Sequence, residues 1–308
     1  MEEPIVNTTE VCDTVYVHAA DVLYNIPERI RVKDPYNSMF VLGLNGGLGV
    51  WMTREALNFN TTPSWIRIAE APSGFSGTKA IEFVEQGDEA GDVMFYTGWN
   101  GQVTRVTGLR NVYSQEDVSE LEVTNILSSA GAAVTGLSVD PNNPNHVVIS
   151  VGGYGANGAG KVRETFNALS SNVTWNNIWT GNGPNGLGLN FNNIPCYDVV
   201  IDANNSSTIV VGTEFGIFVK NGGSNWEISN IGMENGPDGV TAPVFDLKQQ
   251  FRSSHPWSNI TNGGAIYAGT HGRGIFVNGI ASDVEEEELV AEELSLIHIS
   301  EPTRRGII

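Results

Sequence analysis

Apolar positions along this chain come in short alternating runs, and the runs come in pairs. "MFVLGLNGGLGVWMT", "VMFYTGWNGQVTRVT", "VVISVGGYGANGAGKVRET", "IVVGTEFGIFVKN" and "AIYAGTHGRGIFVNG" each hold a β-branched or aromatic run, a glycine-rich turn and a second alternating run. That order predicts a β-hairpin. A glycine closes each first run, at Gly43, Gly98, Gly152, Gly212 and Gly269, and the glycines are spaced 55, 54, 60 and 57 residues apart. We read them as turn glycines.

Two further segments recur in phase. Upstream of the hairpins lie apolar runs that end in Asp-, Pro- and Asn-rich turns, as in "IRVKDPYN", "GLSVDPNNPN" and "DVVIDANNSS". Such residues close turns by side-chain hydrogen bonds and a preset φ. Downstream a short strand opens with Trp65, Trp175 or Trp226, while the second copy has Val123 in "VTNI". Four strands in slightly over fifty residues predict the blade of an all-β propeller, with five blades visible. Blades bury their faces against one another, and the recurring indole suits blade-to-blade packing. A closed five-bladed ring and a fragment of a larger propeller both remain open. Residues 1–26, with "DTVYVHAADVLYNI", are expected to be part of a preceding blade, and 27–279 the propeller.

Two tail segments stand apart. Residues 280–293 read as an acidic linker. Residues 294–308 resemble a translated short-read sequencing adapter, whose codons spell Leu294–Arg304. They are set aside as non-native, and the gene is then expected to be a fragment.

The formal charge of −19 becomes −20 without Glu301, Arg304 and Arg305. So acidic a chain is a poor partner for nucleic acid, because neutralising phosphates takes clustered cations. Anionic lipid is disfavoured likewise. No run is apolar and long enough to span a membrane, and no signal peptide is visible at Met1. Cys12 and Cys196 make no zinc pattern; they either pair or stay free. Sequons at Asn7, Asn60, Asn172 and Asn259 arise readily in Asn-rich turns.

The stretch "IPCYDVVIDANNSSTIVVGTEFGIFVKNGGSNWEISNIG" resembles a blade of the BNR/Asp-box repeat propellers. That superfamily includes sortilin-type receptors, sialidases, xyloglucanase-type glycosidases and a photosystem II assembly factor. In its Ser-x-Asp-x-Gly-x-Thr-Trp turn, "VKNGGSNW" keeps Gly223 and Trp226 and puts Val219, Asn221 and Asn225 at the Ser, Asp and Thr positions. "ALSSNVTW" is more degenerate. "GTHGRGIF" resembles the last blade of secreted Bacteroidetes propellers that continue into a type IX secretion sorting domain. The resemblance, over Pro27–Gly279, implies an extracellular or cell-surface, non-catalytic module that binds carbohydrate or protein. A glycoside hydrolase of xyloglucanase or sialidase type and an assembly factor are the alternatives. The assembly factor needs a basic patch, of which this acidic chain offers little, and the sialidase reading needs a tyrosine nucleophile and an arginine cluster that its few arginines do not form.

"GANGAGKV" approaches a phosphate-binding loop through Lys161, but Val162 stands where Ser or Thr would ligate magnesium, and a strand follows. No cofactor is expected. Asp198 and Asp246, in register on adjacent first strands, are weak catalytic candidates for a two-carboxylate glycosidase; a structural role suits them better. "DPNNPN" and "DANNSS" bear clustered oxygens without calcium-loop spacing, and no metal site is expected. Second-to-third turns and fourth-to-first connections open on one face of a propeller. Asn45, Trp99, Tyr154, Glu214, Phe215, His271 and Arg273 gather there, with two long Gly/Asn loops, as a candidate binding face.

Overall fold

The computed structural model describes the backbone of Thr14–His18 and Arg29–Lys33, and residues 39–278 apart from 57–58, 61, 72–76, 156–159, 180–192, 224, 234–240 and 253–259. The described residues form antiparallel sheets and two 3-10 turns, with no α-helix among them. β1 (Thr14–His18) pairs with β2 (Arg29–Lys33). The first blade holds β3 (Phe40–Leu44), β4 (Gly49–Thr53) and β5 (Ile66–Ala69). The second holds β6 (Thr78–Phe83), β7 (Val93–Gly98), β8 (Val103–Thr107) and β9 (Glu122–Leu127). The third holds β10 (Val134–Asp140), β11 (Asn143–Val151), β12 (Val162–Thr165) and β13 (Asn176–Asn177). The fourth holds β14 (Cys196–Ile201), β15 (Thr208–Thr213), β16 (Gly216–Asn221) and β17 (Glu227–Ile228). The fifth holds β18 (Val244–Gln249), β19 (Ile266–Thr270) and β20 (Gly274–Val277).

Every sheet is an up-and-down meander, and the first strands β6, β10, β14 and β18 are successive neighbours from blade to blade. That is the arrangement of a β-propeller. One expected strand is paired differently. The run in "IRVKDPYN", read as opening the first blade, joins β1 instead of β3.

Alternation along each strand explains the stacking. In β7, Phe95 enters the apolar cluster shared with the third blade, while Met94 and Tyr96 enter the one shared with the first. In β11, Val147, Ile149 and Val151 face the second blade and Val148 the fourth. Both faces are buried, so Val93–Tyr96 and Val147–Ile149 run apolar in succession instead of alternating with polar residues, as a doubly covered sheet requires.

The repeating glycines have a different cause from the one expected. Positive φ falls on glycines within or at the end of the turns, such as Gly101, Gly153, Gly216 and Gly272, and not on Gly43, Gly98, Gly152, Gly212 or Gly269. A Cβ at Gly43 would lie 2.4 Å from Thr78 Cβ, and one at Gly212 would lie 2.8 Å from the Val244 carbonyl. At these two positions the next blade's first strand passes too close for a side chain.

Side chains tie the second, third and fourth blades each to the first strand of the next. Thr97 Oγ1 donates to the Val134 carbonyl at 3.1 Å and Thr135 Oγ1 to the Cys196 carbonyl at 2.7 Å. The Ile201 N–H donates to Ser138 Oγ at 3.0 Å, and the Leu247 N–H to Asp198 Oδ2 at 2.8 Å. β6, β10, β14 and β18 each carry a register shift near the same repeat position, beside Ala80, Gly136, Asp198 and Asp246. Such bulges re-aim the neighbouring side chains.

Candidate functional site

The residue just before that position turns toward its own blade's second-to-third turn. In the second blade Lys79 Nζ sits 5.0 Å over the Trp99 ring. In the fourth the Tyr197 hydroxyl donates to the Glu214 carboxylate. In the fifth the Phe245 ring lies 5.5 Å from His271, tilted by 48°. A strand residue thus supports a turn residue in three blades.

Contacts between blades join the last two pairs. Tyr197 packs edge-on against Phe245, with centroids 4.7 Å apart. Tyr154 of the third blade, 70% exposed, lies close enough to Glu214 to feel its charge. Tyr154, Glu214, Tyr197, Phe245 and His271 therefore form one continuous run over three blades. Burial raises the Tyr197 hydroxyl's pKa, and its bond to Glu214 adds to the shift. Slight burial and the Glu214 charge push Tyr154 the same way. Both phenols stay protonated donors beside the carboxylate.

The other face candidates lie apart. Trp99, 48% exposed, packs on Gly77, where a Cβ would meet its ring at 2.8 Å and Asn45 Oδ1 at 2.2 Å. Asn45 and Gly77 also bridge through their backbones. These residues and Lys79 form a second cluster, between the first and second blades. Phe215 packs onto the apolar cluster between the third and fourth blades. The Arg273 guanidinium donates to the Met233 carbonyl and lies 5.9 Å from the Phe276 ring. Most of the two long loops, at 180–192 and 234–240, lies outside the described residues.

Sequence reading missed Tyr197 and Phe245. Their signal was present: each precedes one of the two in-register aspartates, and each is aromatic where the strand reads as core.

The aspartates themselves differ. Asp198 is 8% exposed and accepts the N–H groups of Val199 and Leu247. Burial pushes its carboxyl up to about 7, against the pull of the Leu247 N–H and the Lys248 charge, with Asp246 adding to the rise. A Cβ at Gly136 would lie 2.5 Å from Asp198 Oδ1. Asp246 is exposed. One carboxylate is enclosed between strands and the other faces solvent, so Asp198 has the surroundings of a strand link.

Lys161 is 1% exposed, and its ammonium donates to the carbonyls of Gly152 at 3.2 Å and Gly153 at 2.5 Å. It holds its own hairpin turn and precedes β12, a strand. Of the Asn/Asp turns, "DPNNPN" uses Asp140 to accept the Asn142 N–H at 2.8 Å and to face His146 at 2.9 Å. Asp202 in "DANNSS" accepts the Asn204 N–H at 3.0 Å and Gln249 Nε2 at 2.7 Å. In the "VKNGGSNW" turn, Asn221 Oδ1 accepts Thr208 Oγ1 at 3.0 Å and Trp226 is buried. The Cys196 thiol is fully buried, and Cys12 lies outside the described residues. No helix among the described residues is long and apolar enough to cross a membrane.

No family model and no curated protein matches the sequence. Solved structures do. An ancestral enzyme of glycoside hydrolase family 74 is 18% identical with a TM-score of 0.45, covering 76% of this chain and 26% of its own. The family 74 enzyme of Niastella koreensis is 16% identical with a TM-score of 0.47, covering 77% and 32%. The β-propeller domain of Cps50 (Swd1) from Myceliophteria thermophila is 10% identical with a TM-score of 0.39, covering 65% and 51%. The chain thus spans less than two thirds of each of these structures.

Proposed function

We propose that the chain is a non-catalytic binding module, secreted or displayed at a cell surface, whose turn face takes a carbohydrate or protein ligand. One observation carries this reading: Tyr154, Glu214, Tyr197, Phe245 and His271 make a single aromatic and carboxylate surface across three blades. Aromatic rings offer flat apolar area at low entropic cost, and the carboxylate supplies acceptors. Strand residues Tyr197 and Phe245 support the turn residues Glu214 and His271, which lowers the ordering needed on binding. The enclosure of Asp198 favours binding over hydrolysis. Strong acidity argues against nucleic acid as the partner.

A glycan array probed with the protein, with a reducing-sugar assay on every glycan retained, tests this reading. Retention without release of reducing ends is the expected result. Release of sugar that Asp246→Asn abolishes would replace the proposal with a glycoside hydrolase.

A further inference from the structure

Trp175 and Trp226, each just before the last strand of its blade, reach across the crevice to the preceding blade. Trp175 Nε1 donates to the Ile126 carbonyl of the second blade at 3.0 Å. Trp226 Nε1 donates to the Ile178 carbonyl of the third at 2.9 Å. Each acceptor lies three residues after the preceding blade's own position in the series, Val123 for Ile126 and Trp175 for Ile178. The indole thus closes each of these two crevices. Trp226 is 4% exposed.

The crevice between the first and second blades has no such indole. By the same count the acceptor is Ile68, three residues after Trp65, and the residue opposite is Val123. Val123 is 46% exposed. A cleft of about 680 Å³ opens here, and both Ile68 and Val123 line it. That volume lies within the roughly 300–1,000 Å³ of small-molecule sites.

The rest of the lining has a definite chemistry. Trp51 supplies an aromatic wall. The Tyr96 hydroxyl, which donates to the Glu70 carbonyl at 3.1 Å, and Thr104 lie in the lining. Gln102 and Asn125 add amides, each both donor and acceptor. Arg67 and Glu70 pair at 2.6 Å, so the two charges there offset each other. Arg67 Nε is buried with no partner among the described residues.

We propose that this cleft binds a neutral saccharide, with one pyranose ring lying where an indole lies between the next blades. A pyranose has apolar C–H faces and a hydroxyl edge. That matches an aromatic wall flanked by amides and hydroxyls, and the paired Arg67 and Glu70 select no net charge. The cleft lies between the first and second blades, away from Tyr154, Glu214, Tyr197, Phe245 and His271 on the third to fifth, although Gln102, Glu70 and Ala71 bring its rim to the end of the sheets where the turns open.

Calorimetric titration with maltotriose, cellotriose and mannotriose tests the proposal. At least one trisaccharide is expected to bind the wild-type chain. Val123→Trp, which fills the cleft, should weaken it at least tenfold while the unfolding midpoint holds or rises. Asn125→Ala with Gln102→Ala should produce the same loss, and decides the matter if the tryptophan variant fails to fold. Tyr154→Ala with His271→Ala should leave this affinity unchanged. Failure of all three sugars to bind, wild-type affinity in the cleft variants, or a loss confined to the turn-face variant would each overturn it.

Discussion

Lys248 Nζ lies 2.8 Å from Glu82 Oε1, joining the first strand of the fifth blade to the first strand of the second. Two further first strands, β10 and β14, separate them in the blade order. The ion pair therefore closes the inner arc of strands upon itself. Lys248 is 63% exposed, so its replacement by alanine should cost no more than about 1 kcal/mol. Urea melts at low and high salt check this, and the difference should shrink at high salt.

The same lysine bears on Asp198. Burial raises the Asp198 carboxyl to about 7, and the Lys248 charge restrains the rise. The folded chain thus holds this proton where the unfolded chain, with a carboxyl near ~3.9, has lost it. Asp198 therefore removes stability as pH climbs from about 4 to 7. Carboxyl-carbon NMR should find its midpoint near neutrality, and Lys248→Ala should move that midpoint upward.

His146 should give the opposite kind of contribution. Its ring is 1% exposed, with Nδ1 2.9 Å from Asp140 and Nε2 2.9 Å from Glu164. Burial opposes its charge, but the two carboxylate bonds outweigh burial and raise its pKa. The stability it adds is complete below the unfolded value near ~6.5 and is lost as pH rises through the higher folded value. His146→Gln should flatten that decline and cost about 3 kcal/mol, since Asp140 is left buried without its charged partner. Denaturant midpoints at pH 6 and pH 9 measure both effects.

The indoles offer a further comparison. Trp226→Ala should cost about 3–5 kcal/mol through the lost contacts and the cavity left behind. Trp226→Phe keeps most of the packing and should cost roughly 1 kcal/mol for the lost bond to Ile178. Trp65→Ala should cost less than Trp226→Ala, since Trp65 is already 38% exposed. Thermal melts of the three variants rank them.

The architecture was legible because repetition multiplies weak signals. One hairpin pattern is ambiguous, but five in phase, with Trp65, Trp175 and Trp226 also in phase, point to a propeller. What the pattern hid was contact between copies. Gly43 and Gly212 look like turn residues, yet they make room for the next blade's first strand. Tyr197 and Phe245 look like core, yet a bulge beside each lets them support Glu214 and His271. The run in "IRVKDPYN" fits a first strand by composition, but composition does not choose a partner, and β1 takes it. Arg273 shares a turn with His271 but bonds Met233, a contact that sequence spacing does not reveal.

Ligand binding at the turn face is tested most directly by an affinity measured on matched variants. The glycan or protein ligand retained by the wild-type chain should be titrated against Tyr154→Ala with His271→Ala. Both residues have high or moderate exposure, so the unfolding midpoint should hold while affinity drops at least tenfold. Wild-type affinity in that double variant would contradict the assignment of ligand binding to this face.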